Sequence, residues 1–186
     1  GTMSEQDVHK RIDELFALPG KMQQILDHRE QIQCFASKAF SVRHVFFIGR
    51  GIDYALSMEA ALKLKEISYI HSEAYAAGEL KHGTIALIEE GSLVVALATQ
   101  PALIKKTSSN MEEVRVRGAH VLAVTNGESE EAAAHSDEQW AFPQVEETLT
   151  PFVAILPMQL IAYYMAVQKG CSVDRPRNLA KSVTVE

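Results

Sequence analysis

Apolar residues in the first forty positions recur at the three- and four-residue spacing of amphipathic helices, with charged residues between them. The spacing predicts three helices, over residues 7–18, 21–28 and 30–40. One break is predicted at Pro19-Gly20, because proline and glycine interrupt helices, and another near Arg29. The three helices would form a lead-in, residues 3–42, that packs on the domain that follows.

The pattern then changes to short apolar runs, which are typical of strands buried on both faces of a sheet. Five segments predict strands, the last of them weakly, at residues 44–48, 69–73, 93–98, 119–125 and 139–142. Three segments have helical spacing: residues 53–68 and 101–117 lie between predicted strands, and residues 150–169 follow the last strand. Strands that alternate with helices predict an α/β domain, residues 43–170, with ligands at the carboxyl ends of a parallel sheet. Residues 171–186 form a tail.

Composition narrows the class of protein. The chain has 186 residues, 47% apolar and 23% charged, which fits one globular domain with a full core. The formal net charge is −6 and the basic residues are dispersed, which argues against binding to nucleic acid. Cys34 and Cys171 are too few for a disulfide framework and lack metal-ligand spacing, so we expect a cytoplasmic protein with no metal and no cofactor.

The N-terminus and the longest apolar run bear on a membrane location. Gly1-Thr2 before Met3 is typical of a tag remnant. The N-terminus lacks the basic patch and following apolar run of a signal peptide, so we expect none. The apolar run at residues 151–167 is interrupted by Pro157 and Gln159, so it falls short of the roughly 18 uninterrupted apolar residues of a membrane span. We interpret it as a buried helix that could also line a subunit interface, and we expect no membrane partner.

Residues 61–83 hold the groups best suited to acid/base chemistry. Lys63 and Glu66 are three apart, so a helix sets them on one face, where both could reach one ligand. Glu59 would help to hold the ammonium of Lys63. If burial raised its pKa, Glu66 could move a proton between adjacent carbons of a sugar, a contribution of about 10²- to 10⁴-fold in rate. The alternative is a solvated ion pair on a helix surface.

His82 and Lys181 are further candidates, each with an ordinary alternative. His82 lies in a turn before Gly83, and an imidazole pKa of about 6.5 suits proton transfer at neutral pH. The alternative is a structural histidine. Lys181 lies in the tail, where closure of a flexible segment could desolvate it and allow a Schiff base with a ketose carbonyl. The alternative is an exposed lysine.

Gly49-Arg50-Gly51 follows the first predicted strand, where backbone amides at a helix start could attract a phosphate. The segment completes neither the P-loop pattern nor the dinucleotide-binding pattern. It therefore predicts a tight turn.

Three blocks of sequence carry a resemblance to a known family. They are residues 59–83, Val145-Glu146-Glu147, and the closing run Pro176-Arg177-Asn178-Leu179-Ala180-Lys181-Ser182-Val183-Thr184-Val185-Glu186, which is highly specific. The blocks resemble the C-terminal half of the isomerase part of the glutamine:fructose-6-phosphate aminotransferase (glucosamine-6-phosphate synthase) family. The resemblance implies a sugar isomerase (SIS) domain, a three-layer sandwich in which a five-stranded parallel, flavodoxin-like sheet lies between helices.

The same resemblance implies roles for individual residues. By it, Glu66 moves the proton between C1 and C2 of the sugar, and Lys63 supports the site. Lys181 bonds or contacts the sugar carbonyl, next to Ala180 in the substrate-binding tail. His82 takes part in opening the sugar ring and reaches in from the neighbouring subunit, which implies at least a homodimer.

The implied reaction converts fructose 6-phosphate and glutamine to glucosamine 6-phosphate and glutamate. Two parts of the family enzyme have no counterpart in this sequence: the glutaminase domain and a first SIS domain whose Ser/Thr-rich loop holds most of the sugar phosphate. We therefore expect a fragment that is inactive or weakly active alone. Two alternatives stay open, a module that senses a phosphosugar without catalysis and a stand-alone phosphosugar isomerase or deglycase.

Overall fold

A five-stranded, wholly parallel sheet forms the centre of the computed structural model, which describes residues 3–177. The strands are β1 His44–Gly49, β2 His71–Ala76, β3 Leu93–Ala98, β4 His120–Asn126 and β5 Glu138–Phe142. Their order across the sheet is β2-β1-β3-β4-β5, so the winding direction reverses between β1 and β3. That reversal is the topological switch point, where α/β proteins usually bind ligands.

Helices cover both faces of the sheet. They are α1 Glu5–Asp27, α2 Arg29–Ala39, α3 Ile52–Ser68, α4 Ile104–Arg115, α5 Glu130–Ala134 and α6 Thr150–Gln168. The first three and α6 pack on one face with Val45 and Phe47 of β1. The other face holds Phe46 and Ile48, covered by α4, α5 and a 3₁₀ turn, Ala77–His82, that follows β2. The predicted three-layer α/β fold with a five-stranded parallel sheet is confirmed.

The predicted break at Pro19-Gly20 is wrong, because α1 continues through it without interruption. Proline costs the helix one backbone hydrogen bond. Leu18 and Ile25, which lie on either side of the break, are both buried against the core, and this packing outweighs the local preference. The N-terminal half of α1 has no buried side chain, and its Arg11 donates a hydrogen bond to the Thr148 hydroxyl at 3.4 Å.

Smaller features also differ from the prediction. Strand β2 begins two residues late, because Tyr69 ends α3 in the left-handed conformation and the backbone N–H of Ile70 bonds to the hydroxyl of Ser68 instead of a neighbouring strand. Helix α4 is shorter at both ends than residues 101–117. The short helix α5, capped by Ser129, was not predicted.

Helix α6 is apolar on nearly every side. Residues Glu147–Gln168 are long and apolar enough to cross a membrane, judged by length and composition alone, and half of an 18-residue window within them is buried inside the domain. Because the core helix of a soluble protein has the same composition, this is weak evidence for a membrane span. The outer side of α6 leaves Phe152, Tyr163 and Val167 about half exposed, and α1 exposes Phe16. We call these four side chains the uncovered apolar residues.

The predicted tight turn at Gly49-Arg50-Gly51 is present, and it makes Gly49 sensitive to substitution. A Cβ on Gly49 would lie 2.5 Å from the backbone carbonyl of Asp53, whereas a Cβ on Gly20, inside α1, would meet nothing within 4 Å. We expect Gly49→Ala to lower the free energy of unfolding by about 1–3 kcal/mol. Gly20→Ala should raise it by about 0.5–1 kcal/mol. Urea unfolding of both variants checks this, and similar shifts of one sign would contradict the close approach.

Candidate active site

An ion pair occupies the last two turns of α3, as the spacing of its members predicted. The ammonium of Lys63 donates a hydrogen bond to Glu66 Oε2 at 3.1 Å, and Glu59 Oε1 lies 3.5 Å from the same nitrogen. Both partners keep about a third of the side chain exposed, 36% for Lys63 and 34% for Glu66. The hydrogen bond to Glu66 raises the pKa of Lys63, and the charge of Glu59 adds to the effect.

This arrangement provides a charged lysine that holds an accessible carboxylate in place. One side of Glu66 is fixed by Lys63, so the other side is available to a ligand. Residues 3–177 do not bury the Glu66 carboxylate deeply, because they leave the side chain about one-third exposed. A ligand or protein segment that covered the pair would exclude water and strengthen its electrostatic effect.

His82 lies at the other end of the sheet from this pair. Helix α3 ends just before β2 begins, whereas His82 ends the 3₁₀ turn that follows β2. The six residues of β2 span about 20 Å at 3.3 Å per residue. The imidazole is 75% exposed, and its nearest charged partner among the described residues is Glu79, at 3.8 Å. The structure therefore does not bring His82 and Glu66 into one site within a single chain.

The switch point between β1 and β3 is filled by the chain's own polar groups. Asp53, which is 1% exposed, accepts hydrogen bonds from the backbone N–H of Thr99 at 2.9 Å and from its hydroxyl at 2.6 Å. The side chain of Gln100 donates to the carbonyl of Arg50 at 2.6 Å. These bonds tie the loops after β1 and β3 together where a ligand would otherwise enter.

Arg50 also connects the switch point to the turn that carries His82. Its guanidinium donates to Asn110 Oδ1 at 2.8 Å, and Asn110 donates to Glu113 at 3.3 Å. Glu113 in turn pairs with Lys81 at 2.7 Å. The guanidinium also lies against Gly78, where a Cβ would come within 3.1 Å of it. The turn is thus held at both Gly78 and Lys81.

Comparison with known proteins identifies the family. The sequence model of the SIS domain family matches residues 40–169, which is more than half of the chain. The chain belongs to the SIS domain family. The resemblance found in the sequence is confirmed at this level, and the sheet order and flanking helices of the structure agree with it.

Three relatives place this SIS domain more closely. It is 56% identical over 186 residues to the glutamine–fructose-6-phosphate aminotransferase (isomerizing) of Caldanaerobacter subterraneus subsp. tengcongensis, covering 100% of this chain and 31% of the relative. The corresponding protein of Clostridium acetobutylicum is 50% identical over 185 residues, covering 100% and 30%. The solved C-terminal domain of glucosamine-fructose-6-phosphate aminotransferase from Francisella tularensis superposes with a TM-score of 0.86 at 34% identity, covering 94% of this chain and 49% of that chain.

The first part of the tail of this SIS domain, residues 171–177, lies against the end of α3. Cys171 Sγ lies 3.9 Å from the carbonyl of Ser68, and Arg177 contacts Tyr69, so residues 171–177 meet the same end of α3 that holds Glu66. Lys181 and Ala180, which were predicted to contribute to the site, lie outside the described residues. Their roles stay predictions.

Asp53 and Thr99 are the buried polar pair that the sequence did not reveal. They are 46 positions apart, and only the order of the strands brings the loop after β3 beside the start of α3. The available signal was weak: a carboxylate in the first helical turn after one predicted strand, and a threonine directly after another.

The buried carboxyl of Asp53 should give a measurable pH dependence. Desolvation raises the pKa of Asp53 above its ordinary value of 3.8, although hydrogen bonds from Thr99 oppose the shift. Because the folded pKa is the higher one, the stabilising contribution is complete below about 3.8 and is lost as pH rises through the folded pKa. We expect the free energy of unfolding, wild type minus Asp53→Asn, to fall as pH rises from 3.8 towards neutrality.

Urea unfolding at a series of pH values tests this dependence of the SIS domain. Asp13→Asn removes an exposed carboxylate from α1 and controls for the change in net charge. A difference between wild type and Asp53→Asn that stayed constant or rose with pH would contradict the effect of burial.

Metal ligands and cavities were sought elsewhere in the SIS domain, away from the Lys63–Glu66 pair. Within residues 3–177, no group of three or more His, Cys, Asp or Glu side chains is placed to hold a metal ion. A cleft of about 480 Å³ lies between the lead-in helices and the ends of β4 and β5, lined by His28, Gln144 and Trp140 among others. It contains none of the predicted site residues.

Proposed function

We propose that this SIS domain is the second SIS domain of a glutamine–fructose-6-phosphate aminotransferase, which converts fructose 6-phosphate and glutamine to glucosamine 6-phosphate and glutamate. The observation that carries the proposal is the Lys63–Glu66 pair at the end of α3 where the tail arrives. The 56% identity over the whole chain to a relative of that name supports it. Because the chain spans 31% of that relative, the activity is proposed for the longer protein.

In this proposal Glu66 moves the proton of the isomerisation step. Its carboxylate removes a proton from C1 of the open-chain sugar, whose C2 carbonyl has already lost its oxygen as water to form the imine of ammonia, and then, as the carboxylic acid, returns the proton to C2. The nitrogen on C2 takes up a proton, the C1 hydroxyl releases one as C1 becomes the aldehyde, and Lys181 contacts the sugar carbonyl. Lys63 holds the carboxylate and compensates its charge. Substrate and tail together would cover the Lys63–Glu66 pair, which is about one-third exposed, and exclude water from it.

We propose that another domain of the longer protein binds most of the sugar phosphate. In the described residues, Arg50 is engaged with Asn110 and Asp53 with Thr99, so the switch point offers a buried acid and a paired guanidinium rather than free hydroxyls. A negatively charged Asp53 would repel a phosphate. The domain alone is therefore proposed to be inactive or weakly active.

We also propose that other protein surfaces cover the uncovered apolar residues. Phe16 on α1 is 82% exposed, and Phe152 on the apolar helix α6 is 55% exposed. Large apolar side chains in this number favour coverage by protein. We propose that a first SIS domain of the longer protein and a second subunit provide it, in a cytoplasmic homodimer, and that His82 serves the site of the second subunit.

A chimera tests the function directly. Residues 1–186 would replace the corresponding C-terminal portion of the Caldanaerobacter relative, and glucosamine 6-phosphate formed from fructose 6-phosphate and glutamine would be measured. We expect product from the chimera and none from the relative truncated at the same junction. A folded chimera that hydrolyses glutamine but forms no glucosamine 6-phosphate would overturn the proposal.

A further inference from the structure

Tyr69 has a backbone conformation that its side chain disfavours. It follows the last residue of α3 with φ 59° and ψ 18°, in the left-handed region. Among residues 3–177 it is the one residue other than glycine with positive φ. Glycine or asparagine is usual at this position of a helix end, because a large side chain is crowded there. A bulky residue persists in such a conformation where the surrounding structure holds it, often at a functional site.

The side chain of Tyr69 binds the start of the C-terminal tail in two ways. The backbone N–H of Arg177 donates a hydrogen bond to the Tyr69 hydroxyl at 2.8 Å. The guanidinium of the same residue lies 4.5 Å from the centre of the tyrosine ring, a cation–π distance. Glycine or asparagine would relieve the backbone but would provide neither contact.

We infer that Tyr69 is a positioning residue that anchors the tail beside Glu66. It lies three residues after Glu66 in the chain, at the same end of α3. Lys181 follows Arg177 by four residues, which span at most about 14 Å of extended chain. Among the described tail residues, the side-chain hydrogen bond to α3 that remains without this anchor is that of Cys171, ten residues before Lys181, which allows about 35 Å. The inference rests on the proposed function, in which Lys181 must reach the sugar beside Glu66.

Trypsin cleavage of this chain tests the anchor without any assay of activity. The enzyme must bind the Arg177 side chain to cut the bond between residues 177 and 178, so the side chain must first leave the ring of Tyr69. We expect Tyr69→Asn to speed cleavage of that bond by roughly five- to fiftyfold, given one cation–π contact and one hydrogen bond. Tyr69→Phe, which keeps the ring, should give a smaller increase.

Two controls separate an anchor from a residue needed only for folding. Cleavage after Lys10, in the exposed first half of α1, provides the internal reference. The melting temperature of Tyr69→Asn should not fall, because asparagine tolerates the left-handed conformation. Unchanged cleavage after Arg177 in Tyr69→Asn would overturn the anchor, and so would faster cleavage that accompanied general unfolding.

Kinetics of the chimera test the positioning role. Tyr69→Asn should lower kcat for glucosamine 6-phosphate by about ten- to a hundredfold through misplacement of the tail, with glutamine hydrolysis retained and partial recovery in Tyr69→Phe. Normal kcat in a chimera whose tail is demonstrably released would overturn the positioning role. If the parent chimera made no product, the proposed function would fail, and the cleavage experiment would still decide whether Tyr69 anchors the tail.

Discussion

Replacing Glu66 with glutamine in the chimera is expected to lower the rate of glucosamine 6-phosphate formation by about 10²- to 10⁴-fold. Glutamine has the same shape and can still accept the hydrogen bond of Lys63, but it cannot take up and return a proton. Glutamine hydrolysis should stay at the level of the parent chimera. Separate assays of glutamate and of glucosamine 6-phosphate measure the two activities.

Glu59 offers a matched control for that substitution. It pairs with the same ammonium at 3.5 Å, four residues before Lys63 on the same helix. Glu59→Gln removes a surface ion pair worth up to about 1 kcal/mol, so the rate should change by no more than about fivefold. Equal losses in Glu59→Gln and Glu66→Gln would show that the charge around Lys63 matters and that Glu66 is not the base.

Combining two inactive subunits is expected to restore activity. In the chimera, Glu66→Gln and His82→Ala homodimers should each form little product. A heterodimer of the two variants, isolated through two different affinity tags, should have about half the parent activity, because one of its two sites then contains both Glu66 and His82. The physical reason is the separation of these residues by the length of β2, which prevents them from meeting within one subunit.

The outcomes of the mixing experiment are distinct. A heterodimer that carries Glu66→Gln on both subunits, with the same two tags, should stay inactive and controls for the tags. An inactive mixed heterodimer would mean that each subunit needs both of its own residues. Full activity in the His82→Ala homodimer would remove His82 from the mechanism.

The sequence predicted best those features that depend on neighbouring residues. Strand β3 was predicted at its observed limits, because a short, Val-rich apolar run bounded by polar residues is typical of a strand buried on both faces of a sheet. The Lys63–Glu66 pair was predicted because helix geometry alone sets residues three apart on one face. Neither prediction required knowledge of the tertiary fold.

Features set by tertiary contacts were missed. The helix through Pro19 depends on packing at Leu18 and Ile25, which overrides a local signal. The bond of Asp53 to Thr99 depends on the order of the strands, which the sequence pattern leaves open. Strand β2 starts late because α3 ends at Tyr69 in the left-handed conformation. Glycine is usual at such a helix end and would have indicated it in the sequence.

The bracing of the His82 turn has a consequence for association between subunits. Ala77 and Leu80 of the turn are buried, the guanidinium of Arg50 lies against Gly78, and Lys81 pairs with Glu113, although the His82 imidazole is exposed. The conformational entropy of the turn is therefore largely lost when the domain folds, before any partner is met. Association then has to order little more than one side chain, at about 0.5–1.5 kcal/mol instead of the larger cost of a flexible loop. In the proposed homodimer, His82 on this braced turn would therefore complete the partner's site at little entropic cost to association.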